Sequence, residues 1–179
     1  FLGALAGMKR GKWPDKVIRG YAVVMASTPA YWVGLLLLLV FGVWLGLFPV
    51  ALGVPIGVTA EDVTLLDRLR HAVLPALALS ITGTPSVILH TREKMAEVMD
   101  SDFMLFARAR GERGGRLLGR HGLRNILLPA VTLQFASIGE IFGGSVLIEQ
   151  VFSYPGLGQA AVSAGLGSDI PLLMGITVI

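Results

Sequence analysis

The stretch GYAVVMASTPAYWVGLLLLLVFGVWLGLF, residues 20–48, contains no charged residue. A helix needs about 20 apolar residues to cross a hydrocarbon core about 30 Å thick, and this run is longer than that. In the whole chain of 179 residues, 54% are hydrophobic and 15% are charged, whereas soluble domains carry about 25% charged residues. The stretch therefore predicts a membrane-spanning helix, and the composition predicts a membrane protein.

Further apolar runs follow along the chain. They are residues 72–89, residues 125–148, and a run that begins at Ile170. The first becomes long enough to span if its helix continues through His90 toward Val98. The chain ends, FLGALAG and PLLMGITVI, are each too short to cross a bilayer, so we expect an internal fragment of a longer protein.

These runs define the predicted fold. We predict an all-α, polytopic membrane helical bundle with about three complete spans plus partial terminal spans, forming one transmembrane domain over residues 1–179. Prolines at 29, 75, 85 and 129 lie in or beside the spans. Membrane helices tolerate proline when neighbouring groups satisfy the freed carbonyls, so the prolines do not argue against the spans.

Lysine and arginine placement predicts the orientation. Five basic residues precede residue 20, eight lie between 92 and 124, and only Arg68 and Arg70 lie in the opposite loops. By the positive-inside rule, residues 1–19 and 92–124 are cytoplasmic, and the loops at 49–71 and 150–168 face outward. Because the charges sit between apolar spans, the net charge of +3 does not indicate nucleic-acid binding.

The loop at residues 99–124 is rich in arginine and glycine. Arg116 and Arg120 are four residues apart and share one face of a helix, with Leu117 and Leu118 as an apolar knob beside them. We expect a short amphipathic helix parallel to the membrane. Each glycine opposes helix by about 1 kcal/mol relative to alanine, so this helix needs a partner surface. Contact with anionic lipid headgroups is the alternative.

Part of this loop carries a resemblance. FARARGERGGRLLGRHGLRNILLPAVT, residues 106–132, resembles the loop motif of binding-protein-dependent ABC transporter permeases. It is most similar to the dipeptide, oligopeptide and nickel branch, with its T-A-R-A-K-G, a basic stretch, R-H-A-L-R-N and I-P. Three other segments are also similar to segments of that branch: RGKWPDKVIRG, STPAYWVGLLLLLVFGVWLGLFPV and GGSVLIEQVFSYPGLGQ. The whole resemblance covers residues 3–175. Leu105 and Phe106 depart from the pattern.

The resemblance implies that the loop is a coupling helix that sits in a groove of a separate ATPase subunit. The residues that it assigns to ATPase coupling are Ala107, Gly111, Arg113, Arg116, Leu117, Leu118, Arg120 and His121. Gly111 allows a tight chain reversal that a Cβ resists. GMKRGKW does not have the spacing of a phosphate-binding loop, so we expect no cofactor on this chain, and ATP and Mg on the partner ATPase.

The resemblance also implies a function. We expect the membrane-spanning subunit of an ATP-driven ABC importer, not an enzyme, that moves peptides or similar small solutes by alternating access in the inner cell membrane. Its partners would be ATPase subunits, a second homologous or identical permease subunit, an extracytoplasmic solute-binding protein and membrane lipid. The alternatives are a secondary transporter or channel whose basic loop only sets topology, and a membrane scaffold.

Polar residues in the third span are candidates for the translocation path. Glu140 lies midway along it, where a charge costs about 3 kcal/mol on insertion scales. Ser137 shares the face of Glu140, and Gln134 lies six residues before it. We therefore expect Glu140 to contact substrate; an interhelical hydrogen bond from a neutral carboxyl is the alternative.

The outer loop after this span has its own candidates. By resemblance they are Glu149, Phe152, Pro155, Gly156 and Gly158, near a docked binding protein. Pro155 and Gly156 set a turn, Phe152 is expected at the membrane interface, and the charge of Glu149 is expected to reach the headgroups. No metal site is expected, because the chain has no cysteine and His90 and His121 lack a ligand cluster.

Overall fold

The computed structural model describes residues 1–57, 62–112 and 117–178, and of Leu118, Arg120, Ile138 and residues 140–144 it describes the backbone alone. Every regular element in these ranges is helical, which confirms the all-α fold. The α-helices are α1 Leu2–Met8, α2 Trp13–Ser27, α3 Ala30–Leu37, α4 Leu65–Met99, α5 Asp102–Ala109, α6 Leu123–Ala136, α7 Ile138–Val151, α8 Leu157–Leu166 and α9 Ile170–Val178. Two π-helical segments, Leu38–Trp44 and Leu118–Gly122, extend α3 and precede α6.

The predicted second span is α4, a single helix of 35 residues. It continues through His90 as expected and ends at Met99. Pro75 and Pro85 lie inside it without ending it. In the part of the chain that the structure describes, α4 is the one unbroken helix that is long and apolar enough to cross a membrane.

The first and third predicted spans are not single helices. The run at residues 20–48 is divided between α2 and α3, and the helix ends at Ser27. Pro29 has an extended backbone with ψ 137°; a proline lacks the N–H that would continue the helix and disfavours helical geometry in the residue before it. The third run is divided at Ser137, which separates α6 from α7.

The chain forms two compact units. Unit 1 comprises Phe1–Ser27 and Gly83–Ile138, and unit 2 comprises Thr28–Thr82 and Gly139–Ile179. The core of unit 1 contains Ala4, Met95 and Ile126, packed with Met8, Val98 and Met99. The core of unit 2 contains Leu74, Ala78, Ile148 and Phe152. One transmembrane domain over residues 1–179 stays a prediction.

Many large apolar side chains are exposed along the helices. Val24 in α2, Leu36 in α3 and Leu77 in α4 are 57%, 51% and 43% exposed, and Trp44 is 73% exposed. Such a surface is unfavourable in water but matches a hydrocarbon solvent. It fits the helices of a membrane protein.

Candidate functional site

Helix α5 is the amphipathic element of the predicted cytoplasmic loop. Met104 and Ala107 are three residues apart and share one face of the helix; both are buried, in a cluster with Leu117 against which Val98 and Met99 of α4 pack. The rest of α5 presents large apolar side chains to the surroundings: Phe103 is 44% exposed, Leu105 62% and Phe106 72%. Helix α5 is therefore fixed to α4 on one side and leaves an apolar surface uncovered.

Gly111 ends α5 with a tight reversal. Its φ is +87°, a backbone geometry that glycine adopts without a Cβ penalty. The N–H of Gly111 donates to the carbonyl of Arg108 at 3.0 Å, and the N–H of Glu112 donates to the carbonyl of Ala107 at 3.1 Å. This pair of bonds is the Schellman arrangement that satisfies the last carbonyls of a helix. The reversal expected at Gly111 is present.

The structure changes the interpretation of residues 116–120. Leu117 is only 5% exposed and packs with Met104 and Ala107, so it is not part of an exposed knob as expected; it holds the loop against α5. Residues 118–122 form a π-helical turn that runs into α6, and the expected amphipathic helix lies largely outside the described residues. Arg113 and Arg116 lie outside the described residues, as do the side chains of Leu118 and Arg120.

The two described ends of the loop are joined by a polar contact. Nε2 of His121 lies 3.1 Å from Oε2 of Glu112, and both side chains are partly buried. The other two histidines bond within their own helix, as when Nδ1 of His90 lies 2.9 Å from the carbonyl oxygen of Ser86. Among the described residues, no three acidic or histidine side chains are grouped so that they could hold a metal ion.

A buried ion pair lies in unit 1. Asp15, in the first turn of α2, is 3% exposed, and its carboxylate accepts two hydrogen bonds from the Arg92 guanidinium of α4, the Nη2 bond at 2.9 Å. It also accepts the N–H of Gly11 at 2.8 Å. Asp15 lies before the uncharged run that begins at residue 20. The Arg92 hydrogen bonds, opposed by burial, lower the pKa of Asp15 to about 2, so the pair is ionised at neutral pH.

Glu149 in unit 2 is a second buried carboxylate. It is 9% exposed and accepts hydrogen bonds from the backbone N–H groups of Gly158 at 3.2 Å and Gln159 at 2.6 Å. These are donors of the first turn of α8, which a carboxylate stabilises through a hydrogen bond and through the helix dipole. The expectation that Glu149 reaches the headgroups is wrong, because its carboxylate is buried and caps the start of α8.

The outer loop is built around that cap. Ser153 takes the left-handed conformation with φ 47°, and the N–H of Tyr154 donates to the carbonyl of Glu149 at 2.8 Å. A Cβ added at Gly156 would lie 2.2 Å from the Glu149 carboxyl, and one added at Gly158 would lie 2.7 Å from Val146. The motif glycines therefore leave room for the Glu149 side chain and for α7.

Two other outer-loop residues pack inside unit 2. Phe152 is 2% exposed and lies in the core cluster with Leu74 and Ile148, so its expected place at the membrane interface is wrong. The Phe152 carbonyl accepts the N–H of Leu52 at 2.9 Å. Pro155 contacts Gly53, where a Cβ would lie 3.1 Å from the proline ring. The outer loop thus closes on residues 52–53.

The predicted path residues are only partly described. Gln134 is exposed and Ser137 is half-buried. The Ser137 hydroxyl donates to the Gln134 carbonyl at 2.9 Å, a local bond at the end of α6. The side chain of Glu140 lies outside the described residues, so its contact with substrate stays a prediction.

Comparison with known proteins identifies the family. Residues 1–179 match the sequence profile of the binding-protein-dependent transport system inner membrane component family. The chain belongs to this family. It is a permease-family chain of ABC transport systems, which confirms the resemblance seen in residues 106–132, and its place is the inner membrane.

Relatives in this permease family carry peptide-transport names. The chain is 40% identical over 153 residues, 86% of its length, to the oligopeptide transport system permease protein AppB of Bacillus subtilis. It is 36% identical over 99% of its length to a putative peptide permease protein of Brucella ovis. It is 34% identical over 96% of its length to the glutathione transport system permease protein GsiC of Pectobacterium atrosepticum. The matches cover 48%, 54% and 52% of those proteins, so the chain spans about half their length.

Sequence reasoning missed two features of this permease chain. The Asp15–Arg92 pair joins residues 77 positions apart, and no local pattern signals such a contact. The exposed surface of α5 was signalled: Leu105 and Phe106 are the two departures from the family motif, and both are large apolar residues in a loop otherwise rich in arginine.

Proposed function

We propose that this chain is the membrane-spanning subunit of an ATP-driven importer that moves peptides or similar small solutes by alternating access. The observation that carries the proposal is the family match over residues 1–179. The chain performs no chemistry on its cargo, and ATP is hydrolysed, with Mg, by a separate ATPase subunit. The full assembly also contains a second permease subunit, homologous or identical, and an extracytoplasmic solute-binding protein.

Helix α5 is the surface that we propose for the ATPase contact. Leu105 and Phe106 are 62% and 72% exposed, and exposed apolar groups of this size mark a protein interface when they lie outside the hydrocarbon layer. Arg108 and Arg110 are exposed beside them and can pair with carboxylates around a groove. Helix α5 thus takes the role first expected of Leu117.

The remaining residues of the loop support α5 in this proposal. Ala107 and Leu117 form the buried side of the contact with α4, Gly111 sets the reversal after α5, and His121 bonds to Glu112. Arg113, Arg116, Leu118 and Arg120 remain proposed contact residues for the ATPase. The loop is therefore a supported helix with one uncovered side.

The cargo class rests on the names of the relatives. Two of them are named as peptide permeases and one as a glutathione permease, and glutathione is itself a small peptide. Gln134, Ser137 and Glu140 are proposed to line the path, and the outer loop at Glu149 to Gly158 is proposed to face the binding protein.

The proposal is tested with the full-length protein in its complete assembly. Uptake of a labelled peptide into reconstituted vesicles that contain ATP in their lumen, with the binding protein added outside, should require that ATP. It should be lost in Leu105→Asp and Phe106→Asp, because a carboxylate opposes burial in an apolar contact. The same variants should no longer retain the ATPase subunit during purification. Lys9→Glu is the matched control, since it adds a carboxylate to an exposed position of the same unit, and it should transport normally.

Two outcomes contradict the proposal. Uptake that is driven by an ion gradient without nucleotide supports the secondary-transporter alternative. Retention of the ATPase and full uptake in both α5 variants contradicts the assignment of α5 as the contact surface.

A further inference from the structure

Helix α5 is held in place by packing that continues into α1. Met104 and Ala107 of α5 pack against Val98 and Met99 of α4. The same two residues of α4 pack against the cluster that contains Ala4 and Met95. The buried side of α5 is therefore continuous, through the last turns of α4, with the contact between α4 and α1.

The contact of α1 with α4 is close and depends on two glycines. A Cβ added at Gly3 would lie 2.4 Å from the carbonyl oxygen of Ile88, and one added at Gly7 would lie 2.5 Å from that of Arg92. Glycines four residues apart allow helix backbones to approach in this way. The approach covers the segment of α4 that ends just before Val98 and Met99.

Asp15 fixes this arrangement electrostatically. Its carboxylate binds Arg92 of α4 and the N–H of Gly11, and Gly11, with φ +77°, lies in the turn between α1 and α2. One buried carboxylate therefore connects that turn, the start of α2 and α4. Two hydrogen bonds from one guanidinium fix direction as well as distance.

We infer that the Asp15–Arg92 pair positions α5 for the ATPase, so that motion of the ATPase is passed to α2 as well as along α4. Asp15 and Arg92 are positioning residues, because α5 and not this pair makes the proposed contact. This inference rests on the proposed function. Without the pair, α4 can shift against α1 and α2, and ATP is hydrolysed without the matching movement of the spans.

The experiment measures peptide molecules imported per ATP hydrolysed by the complete reconstituted transporter. Asp15→Asn keeps the shape of the side chain and removes its charge; we expect the ratio to fall by about fivefold while the ATPase subunit still co-purifies. Arg92→Lys keeps the charge and loses the fork geometry, and we expect a fall of about twofold. A loss of stability alone would reduce the amount of transporter and leave the ratio unchanged.

The control is an exposed ion pair of the same unit. Arg10 and Asp100 lie 3.4 Å apart with side chains 64% and 73% exposed, and exposed pairs contribute little. Arg10→Gln should leave the ratio at the wild-type value.

The outcomes separate this inference from the proposed function. If the wild-type protein shows no ATP-dependent uptake, the proposed function fails. If the wild-type protein couples uptake to hydrolysis and Arg92→Lys imports as many peptide molecules per ATP as the wild type, the inference is overturned. This outcome can be read even if Asp15→Asn does not assemble into a transporter. An equal fall in Arg10→Gln also overturns it, because the effect then belongs to surface charge and not to the buried pair.

Discussion

Among the side chains that the structure describes, each unit of the chain contains one buried carboxylate, and the two are satisfied in different ways. Asp15 in unit 1 is 3% exposed and is bound by a guanidinium 77 residues away. Glu149 in unit 2 is 9% exposed and is bound by backbone N–H groups nine and ten residues away. Asp15 thus faces a full charge on another helix, whereas Glu149 faces the partial charges at the start of the next one.

The difference determines what is left when the carboxylate is removed. Without Asp15, the Arg92 guanidinium stays largely buried and loses the carboxylate that binds it, and a buried charge without its hydrogen-bonded partner is costly. Without Glu149, two backbone N–H groups lose their acceptor, which costs less because each is a neutral donor. The comparison therefore predicts a long-range effect in unit 1 and a local one in unit 2.

The largest expected effect is that of Asp15→Ala. It should lower the free energy of unfolding by about 4 kcal/mol, measured by thermal unfolding of the purified protein in detergent. Asp100→Ala, which removes a partner 73% exposed, should leave the unfolding temperature unchanged. A cost for Asp15→Ala no larger than that for Glu149→Ala would remove the distinction between the two carboxylates.

Acid should weaken the same pair. The Arg92 hydrogen bonds lower the pKa of Asp15 from 3.8 to about 2. The stability that the pair contributes is therefore fully present above pH 4, and it is lost as the pH falls through the folded-state pKa. The expected loss is about 2 kcal/mol. The check is the difference in unfolding temperature between wild type and Asp15→Asn, which should shrink from pH 5 to pH 2; a constant difference would contradict the assignment.

Gly158→Ala tests the packing around Glu149. The added Cβ would lie 2.7 Å from Val146 and 3.0 Å from the Glu149 carboxylate, and overpacking of this kind costs about 1.5 kcal/mol. Gly165→Ala in the same helix is the control, since nothing lies within 4 Å of its Cβ position, and alanine there should be neutral or slightly stabilising. Equal thermal stability of the two variants would show that α7 and the Glu149 side chain can accommodate a Cβ at position 158.

The smallest expected effect is that of Glu149→Gln. The amide keeps one oxygen acceptor and places an NH₂ group against the other N–H, so the cap should weaken by about 1 kcal/mol. Hydrogen exchange of the amides of Gly158 and Gln159 should become about fivefold faster, while peptides from α2 and α4 keep their rates. Faster exchange in α2 as well would mean that Glu149 acts beyond its own unit.

The sequence predicted the features that depend on local chemistry. Arg108, Ala109 and Gly111 formed a recognisable motif, and the reversal at Gly111 follows from the freedom of glycine at positive φ. The start of α9 at Ile170 and the continuation of α4 past His90 follow from apolar length and from the absence of a break. The family itself followed from ordered motifs along the chain.

Features that depend on distant partners were not predictable. Pro29 precedes a new helix and Pro85 lies inside one; the residue type alone does not decide this, because membrane helices tolerate proline where neighbouring groups satisfy the freed carbonyl. Leu117 was expected to form an apolar knob with Leu118 for the ATPase contact, but Met104 and Ala107 of α5 cover it. Glu149 was expected at the headgroups because of its charge, and Phe152 was expected at the membrane interface; the start of α8 and the core of unit 2 bury them.

The length of α4 has a mechanical consequence. At 35 residues and about 1.5 Å per residue, this helix is about 52 Å long, and the hydrocarbon layer is about 30 Å thick. About 20 Å of it therefore extends beyond the hydrocarbon layer. A change of about 10° in its tilt moves one end sideways by about 9 Å relative to the other, so a small rotation inside the bilayer becomes a displacement larger than one helical turn at its tip.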